Sequence, residues 1–269
     1  MSIKLIASDI DGTLVTDDKR LLPETAKAIL RFEQTGGIFV IASGRPLKGI
    51  MKYADELEMS KYGGYIISFN GSFILDLGHL KPLVKRFIDV DTAREVVRTA
   101  DRYNMSITTY SEGTAITQRA TDRYFMLETS INELEIKYTE SLVDYITFPV
   151  PKFLITGEPK DLEEYEKILN NELNNVTVFR SEPFFLEIVP KSVNKGTSLD
   201  IIRKHLDLKK DSVIAFGDGF NDVSLLESAG LGIAMKNAQA PVIKAADYVT
   251  RSNNENGVGE AIERFALKL

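Results

Sequence analysis

Asp9 and Asp11 stand two positions apart at the end of an apolar run that includes Ile3, Leu5, Ile6 and Ala7, and Gly12 follows at once. On an extended chain alternate side chains share a face, so both carboxylates would point into one space. Like charges that close repel, and burial makes the repulsion worse. The segment therefore calls for a cation, a proton, or both. A turn with a helix cap is the ordinary alternative, since Asp favours both. A calcium-binding loop does not fit: with Asp9 at its first position, Arg20 falls where a bidentate Glu is required, and the glycine comes too early.

Three further polar clusters follow along the chain: Ser43-Gly44-Arg45, Lys195-Gly196, and Gly217-Asp218-Gly219-Phe220-Asn221-Asp222. Taken singly, Ser43 could cap a helix and Lys195 could be a surface lysine. Two glycines flanking Asp218 suit a backbone that must approach a ligand closely. Asp9, Asp11 and Asp218 offer hard oxygen donors, which suit Mg²⁺ with retained waters. The Ser43 hydroxyl, the Lys195 ammonium and backbone N–H groups at helix starts suit a phosphate. A carboxylate beside a phosphoryl group can attack it and form an acyl phosphate that water later cleaves. The expectation is that Asp9 attacks while Asp11 gives a proton to the leaving oxygen and later takes one from water. An isolated Asp titrates at about 3.9, so Asp11 would need the substrate's negative charge nearby to hold that proton.

The surrounding pattern says how these residues are held. Short, continuously apolar runs at 3–8, 37–43 and 65–71 read as strands buried on both faces, and helical stretches separate them. Pro23 suits a first helical turn, and Gly36-Gly37 ends that helix. The same pattern returns after residue 191, with a strand at 213–218, another at 231–235 and a closing helix over 257–269. In an open parallel sheet ligands sit beyond the carboxyl ends of the strands, where all four clusters fall. Between them, from about residue 83 to 190, strands alternate apolar and polar residues and read as half-exposed. Helices at 91–104 and 160–173 would lie on one face of an antiparallel sheet. The expected fold is thus α/β, a parallel-sheet core from residues 1–82 and 191–269 with an inserted α+β domain at 83–190.

Composition narrows the function. The 269-residue chain carries 43% hydrophobic and 27% charged residues, an ordinary globular balance. A net charge of −6 with no basic block argues against a nucleic-acid partner. No apolar stretch approaches a membrane span, and a carboxylate by position 9 leaves no secretory segment, so a cytoplasmic location is expected. The absence of cysteine excludes a cysteine-nucleophile phosphatase, and two histidines argue against a His-rich two-metal phosphoesterase. Oligomeric state is not legible.

The motifs "DIDGTL", "SGR", "KG" and "GDGFND", in that order, resemble those of the haloacid dehalogenase-like hydrolase superfamily. The long insert resembles the class IIB cap of its Cof-type members. The stretches "PFFLEIVPKSVNKGTSLD", "GIAMKNA" and "NNENGV" are similar to sugar-phosphate phosphatases of that group. The resemblance implies Asp9 as nucleophile and Mg²⁺ ligand, and Asp11 as acid/base with its backbone carbonyl on the metal. It implies Asp218 as the further metal ligand, and Ile10 N–H, Ser43, Gly44, Lys195 and Asn221 as phosphate contacts. Asp222 would steer Lys195 or a metal-bound water. Arg45 and Asn70, on strand-end loops, are candidates for contact with the sugar, with a structural role as the alternative. Glu187 reads as an exposed strand residue that could reach substrate hydroxyls. The implied function is a Mg²⁺-dependent phosphatase of small phosphorylated metabolites, sugar phosphates first. A sugar phosphomutase and a non-catalytic phosphosugar sensor are the alternatives.

Overall fold

The computed structural model describes residues 2–268. In chain order the elements begin β1 (Leu5–Ser8), α1 (Pro23–Gln34), β2 (Ile38–Ala42), α2 (Leu47–Glu56), α3 (Met59–Tyr62), β3 (Tyr65–Ser68), β4 (Phe73–Asp76) and β5 (Lys81–Lys85). They continue α4 (Val90–Arg102), β6 (Ile107–Ser111), β7 (Thr114–Thr117), α5 (Arg123–Ile131), β8 (Glu135–Tyr138), α6 (Leu142–Tyr145), β9 (Phe153–Thr156), α7 (Pro159–Glu172), β10 (Val176–Glu182) and β11 (Phe185–Pro190). The chain closes with α8 (Lys195–His205), β12 (Val213–Gly217), α9 (Val223–Glu227), β13 (Leu231–Ala234), α10 (Ala240–Ala245), β14 (Tyr248–Val249) and α11 (Gly257–Ile262).

Two compact units emerge: Met1–Gly44 with Ile50–Val84 and Asn194–Leu269, and Lys85–Val193 with the short upstream segment Arg45–Gly49. The first is built on an eight-stranded sheet of order β14-β13-β12-β1-β2-β3-β4-β5. From β14 through β3 every pairing is parallel, and β3 to β4 is antiparallel. β1 is central, and its four residues are all buried, as a continuous apolar run requires of a strand covered on both faces. Leu5, Ala7, Val40, Ala42, Val213 and Ala215 pack one face against Leu199 and Ile202 of α8 and Leu225 of α9. The expected closing helix is shorter than its sequence pattern: α11 ends at Ile262 and passes into a wide π-type turn over Glu263–Leu267.

The second unit holds a six-stranded sheet of order β10-β11-β9-β6-β7-β8. Its pairs are antiparallel except β7 with β8, which are parallel and depart from the expected wholly antiparallel arrangement. One face carries Ile107, Ile116, Phe153, Ile155, Leu186 and Ile188, packed on Val96, Val97 and Ala100 of α4 and on Leu162 and Leu169 of α7. Asp89 caps α4, accepting from Asp91 and Thr92 N–H at 3.1 and 3.0 Å, which adds about 1 kcal/mol.

The alternation in these strands suggested that their polar face meets water. It does not: Thr108, Tyr110, Lys152 and Glu187 are all at least nine-tenths buried. Helix α5 is tied to that face, since Tyr110 donates to Glu128 Oε1 at 3.0 Å and Thr156 donates to Asp122 Oδ2 at 2.6 Å. Among the described residues no helix is long and apolar enough to cross a membrane.

Candidate active site

Four segments of the first unit converge at the carboxyl ends of its parallel strands. Asp9 follows β1 directly, and its N–H donates to Phe216 O of β12 at 3.1 Å, so the sheet ladder itself fixes its backbone. The Ile10 carbonyl accepts from Thr13, Leu14 and Val15 N–H at 3.3, 3.0 and 3.1 Å, folding the chain back into a tight turn. Gly12 lies at φ +76°, where side chains are strained, and a Cβ there would sit 2.3 Å from Asp218 Oδ2. Glycine is required by conformation and by space together.

Lys195 opens α8, where Asn194 caps the helix by accepting from Thr197 N–H at 2.8 Å. Its ammonium lies 2.6 Å from Asp9 Oδ1 and 2.6 Å from Asp222 Oδ1. Gly196 makes this approach possible, because a Cβ there would lie 2.1 Å from the Ser224 carbonyl of α9. The turn after β12 is held by Asp222, whose Oδ2 accepts from Asp218 and Gly219 N–H at 3.0 and 2.9 Å. Thr13, unremarked in the sequence as a functional residue, donates to Asp218 Oδ1 at 2.6 Å.

Ser43 follows β2 directly and is buried, with its N–H donating to Ile67 O at 2.8 Å. Beside it the chain leaving β3 holds Phe69, Asn70 and Gly71 at φ 52°, 56° and 112°, three consecutive left-handed residues. This strained knot is well anchored. Asn70 N–H donates to Ser43 O at 3.0 Å, Asn70 Oδ1 accepts from Asn221 Nδ2 at 2.9 Å, and Ser198 donates to Gly71 O at 3.0 Å. A Cβ on Gly44 would approach the Asn70 amide to 3.0 Å.

Asp11 lies where its charge helps to raise both Asp9 and Asp218. Its Oδ1 is 2.6 Å from the ammonium of Lys19, a residue the sequence reading passed over. Arg45 belongs to the other unit: it is buried and donates to the Gly49 and Ile131 carbonyls, each at 3.3 Å. Glu187 is 4% exposed rather than an open strand residue, because Lys152 pairs with it at 2.9 Å.

The electrostatics of the Asp9 cluster are unbalanced. One oxygen each from Asp9, Asp218 and Asp222 lie within 4.8 Å of one another, facing the single ammonium of Lys195. Burial, then the Asp222 charge, push the Asp9 carboxyl well above its ordinary range, against the pull of Lys195. The same two causes raise Asp218 to about 7, although the Thr13 hydrogen bond opposes them. Burial disfavours the Lys195 ammonium, but Asp222 and Asp9 more than compensate and keep it charged. A hard divalent cation fits this surplus of carboxylate oxygen, and bare Gly12 leaves room at Asp218 Oδ2. Both Asp222 oxygens are already engaged, so the donors best placed to hold a cation are Asp9 and Asp218.

The chain matches the family model of the haloacid dehalogenase-like hydrolases over residues 6–262. It is 39% identical to a solved haloacid dehalogenase-like hydrolase from Bacteroides thetaiotaomicron, with TM-score 0.91, covering 98% of this chain and 99% of that one. It is 31% identical to a "Putative phosphatase" of Streptococcus pyogenes serotype M6, over 99% of this chain and 100% of the relative. A solved structure described as the HAD subclass IIB sugar phosphatase BT4131 is 25% identical, with TM-score 0.85, covering 98% and 99% of the two chains. The chain therefore belongs to the haloacid dehalogenase-like hydrolases. It is an enzyme with the α/β fold of that family, and the family places its activity among phosphatases of phosphorylated substrates.

Proposed function

We propose that the protein is a Mg²⁺-dependent phosphomonoesterase of small phosphorylated metabolites, sugar phosphates foremost, working through an aspartyl phosphate on Asp9. The observation that carries this reading is the Asp9–Lys195–Asp222 contact beside Asp218, a buried site with more carboxylates than cations. The sugar phosphatase among the solved relatives supports the substrate class.

Asp9, Asp218 and the Asp11 carbonyl would hold the metal, which when bound neutralises carboxylate and phosphate charge. An Asp9 oxygen attacks phosphorus while the bond to the leaving oxygen breaks, and that oxygen takes its proton from Asp11. Water then attacks the same phosphorus and gives a proton to the Asp11 carboxylate. The acyl phosphate bond breaks with its electron pair returning to Asp9, releasing inorganic phosphate. Lys195, held by Asp222, presents positive charge to the transferring group. Ser43, Gly44, Asn221 and the Ile10 N–H complete its binding, and such placed donors are the main source of phosphoryl-transfer catalysis. Asn70 acts by orienting the Asn221 amide. The inserted unit, residues 85–193 with 45–49, serves as the cap that sets substrate choice.

The test is phosphate release from a panel of sugar phosphates with Mg²⁺. Release that EDTA and Asp9→Asn abolish supports the reading. Isomer exchange without net release would replace it with a mutase, and binding without turnover with a sensor.

A further inference from the structure

The loop after the first motif is tied down more heavily than a surface turn needs. Val15 bridges to Asp11 and to Leu21, and Thr16 N–H donates to Arg20 O at 3.0 Å. Lys19 N–H donates to Thr16 O at 2.9 Å. The Asp17 carboxylate accepts from the side-chain amides of Asn253 and Asn254 at 3.0 and 2.9 Å. Within this frame Lys19 stands at φ 62°, a left-handed conformation that costs a non-glycine residue about 1 kcal/mol or more. Its carbonyl accepts from the Tyr53 hydroxyl at 3.2 Å, and its ammonium reaches Asp11 Oδ1 at 2.6 Å.

Stability alone does not account for a lysine here. Glycine would adopt the same backbone without strain. The ion pair is 38% and 33% exposed on its two sides, and pairs that open contribute at most about 1 kcal/mol. The neighbouring pair in the same loop, Arg20 with Asp18, is more exposed still. The lysine at the strained position is the one whose head group rests on the carboxylate assigned to proton transfer.

We propose that Lys19 is a positioning residue for Asp11: it fixes one carboxylate oxygen, and so the direction in which the carboxyl meets the leaving group. The proposal rests on the phosphatase reading above. A donor matters most when the leaving oxygen is a poor one, as in an alkyl phosphate of a sugar, whereas p-nitrophenolate departs with little help. Loss of Lys19 therefore separates the two substrate types.

The experiment compares kcat and KM on p-nitrophenyl phosphate and on a hexose 6-phosphate, with thermal unfolding, for wild type, Lys19→Gly, Lys19→Arg and Arg20→Gln. Lys19→Gly is expected to unfold at the wild-type temperature or above it. Its kcat on the hexose phosphate falls by about tenfold or more, set against the roughly 10²- to 10⁴-fold value of a whole acid catalyst. On p-nitrophenyl phosphate the fall is less than about threefold, in line with the weaker need for a proton. Lys19→Arg recovers most of the selective loss, and Arg20→Gln behaves as wild type. Equal losses on both substrates, a rise in KM alone on both, or no loss on either would overturn the role of Lys19 while leaving the phosphatase reading intact. A wild-type enzyme that releases phosphate from neither substrate overturns both.

Discussion

Among the described residues two lysines are buried against carboxylates, one in each unit, and they do different things. Lys152 is 2% exposed and pairs with Glu187, while Tyr110 and Glu128 lie alongside and the Arg45 charge also acts on Glu128. There two cations, Lys152 and Arg45, stand near two carboxylates, Glu187 and Glu128. Lys195 is 1% exposed and faces Asp9, Asp222 and Asp218, one cation against three carboxylates. Burial alone thus does not mark a reactive site. An uncompensated charge does, because something else must complete it. Glu33 marks a third condition: it is 2% exposed, both its carboxylate oxygens lack hydrogen-bond partners among the described residues, and burial and then the Glu58 charge raise it to about 8.

This contrast can be broken in four places. The largest effect is expected at Asp9→Asn, which removes the nucleophile: kcat falls at least about 10³-fold, and no phosphorylated protein accumulates in a quenched turnover. Lys152→Met comes next. It strands Glu187 without its cation and is expected to destabilise the fold by about 3–5 kcal/mol in urea unfolding. Replacing both, Lys152→Met with Glu187→Leu, is expected to recover most of that loss, as a balanced structural pair should and a catalytic one should not.

Gly12→Ala places a methyl group against Asp218 Oδ2 at a positive φ. Weaker Mg²⁺ binding by about 10- to 100-fold, read from the Mg²⁺ dependence of turnover, is expected by analogy with losses of supporting groups at other metal sites. Glu33→Gln has the smallest effect and the clearest sign. The folded chain keeps the Glu33 proton up to about pH 8, whereas the unfolded chain releases it near the ordinary 4.5. Wild-type stability contributed by this group therefore falls as pH rises between those values and then levels off. Unfolding of the variant should match wild type near pH 4.5 and exceed it by a margin that grows as pH rises toward 8.

The first unit was legible because its physics is local. β1 and β2 are continuous apolar runs, Pro23 starts α1, and the polar clusters fall where parallel strands end. The second unit hid more. Helix α5 inverts the usual pattern: Met126 and Leu127 face outward at 49% and 44% exposure, while Glu128 and Thr129 are buried. No helical periodicity of apolar residues announces it, nor the short α6 and β8 that follow. Without α5 in view, the alternation of Thr108, Tyr110, Lys152 and Glu187 reads as a wet face. At the site, residue types pointed to Asp9, Lys195 and the 217–222 turn, since each motif is chemical in itself. Lys19, Thr13 and Tyr53 gave no such signal, because their contacts arise only when the loop folds back on the sheet. The strain at Phe69 and Asn70 was equally silent: Asn-Gly suggests a turn, but not one with a left-handed phenylalanine before it.

That left-handed triplet has a mechanical consequence. It grips Ser43 through one backbone, Asn221 through one amide and the first turn of α8 through one hydroxyl, while Lys195 in that turn holds Asp9. Groups drawn from residues 9 to 222 are thereby braced as a single jig. A disturbance at any one of them, a swelling side chain at Gly71 for instance, would misalign the others together and leave no part of the machinery working alone.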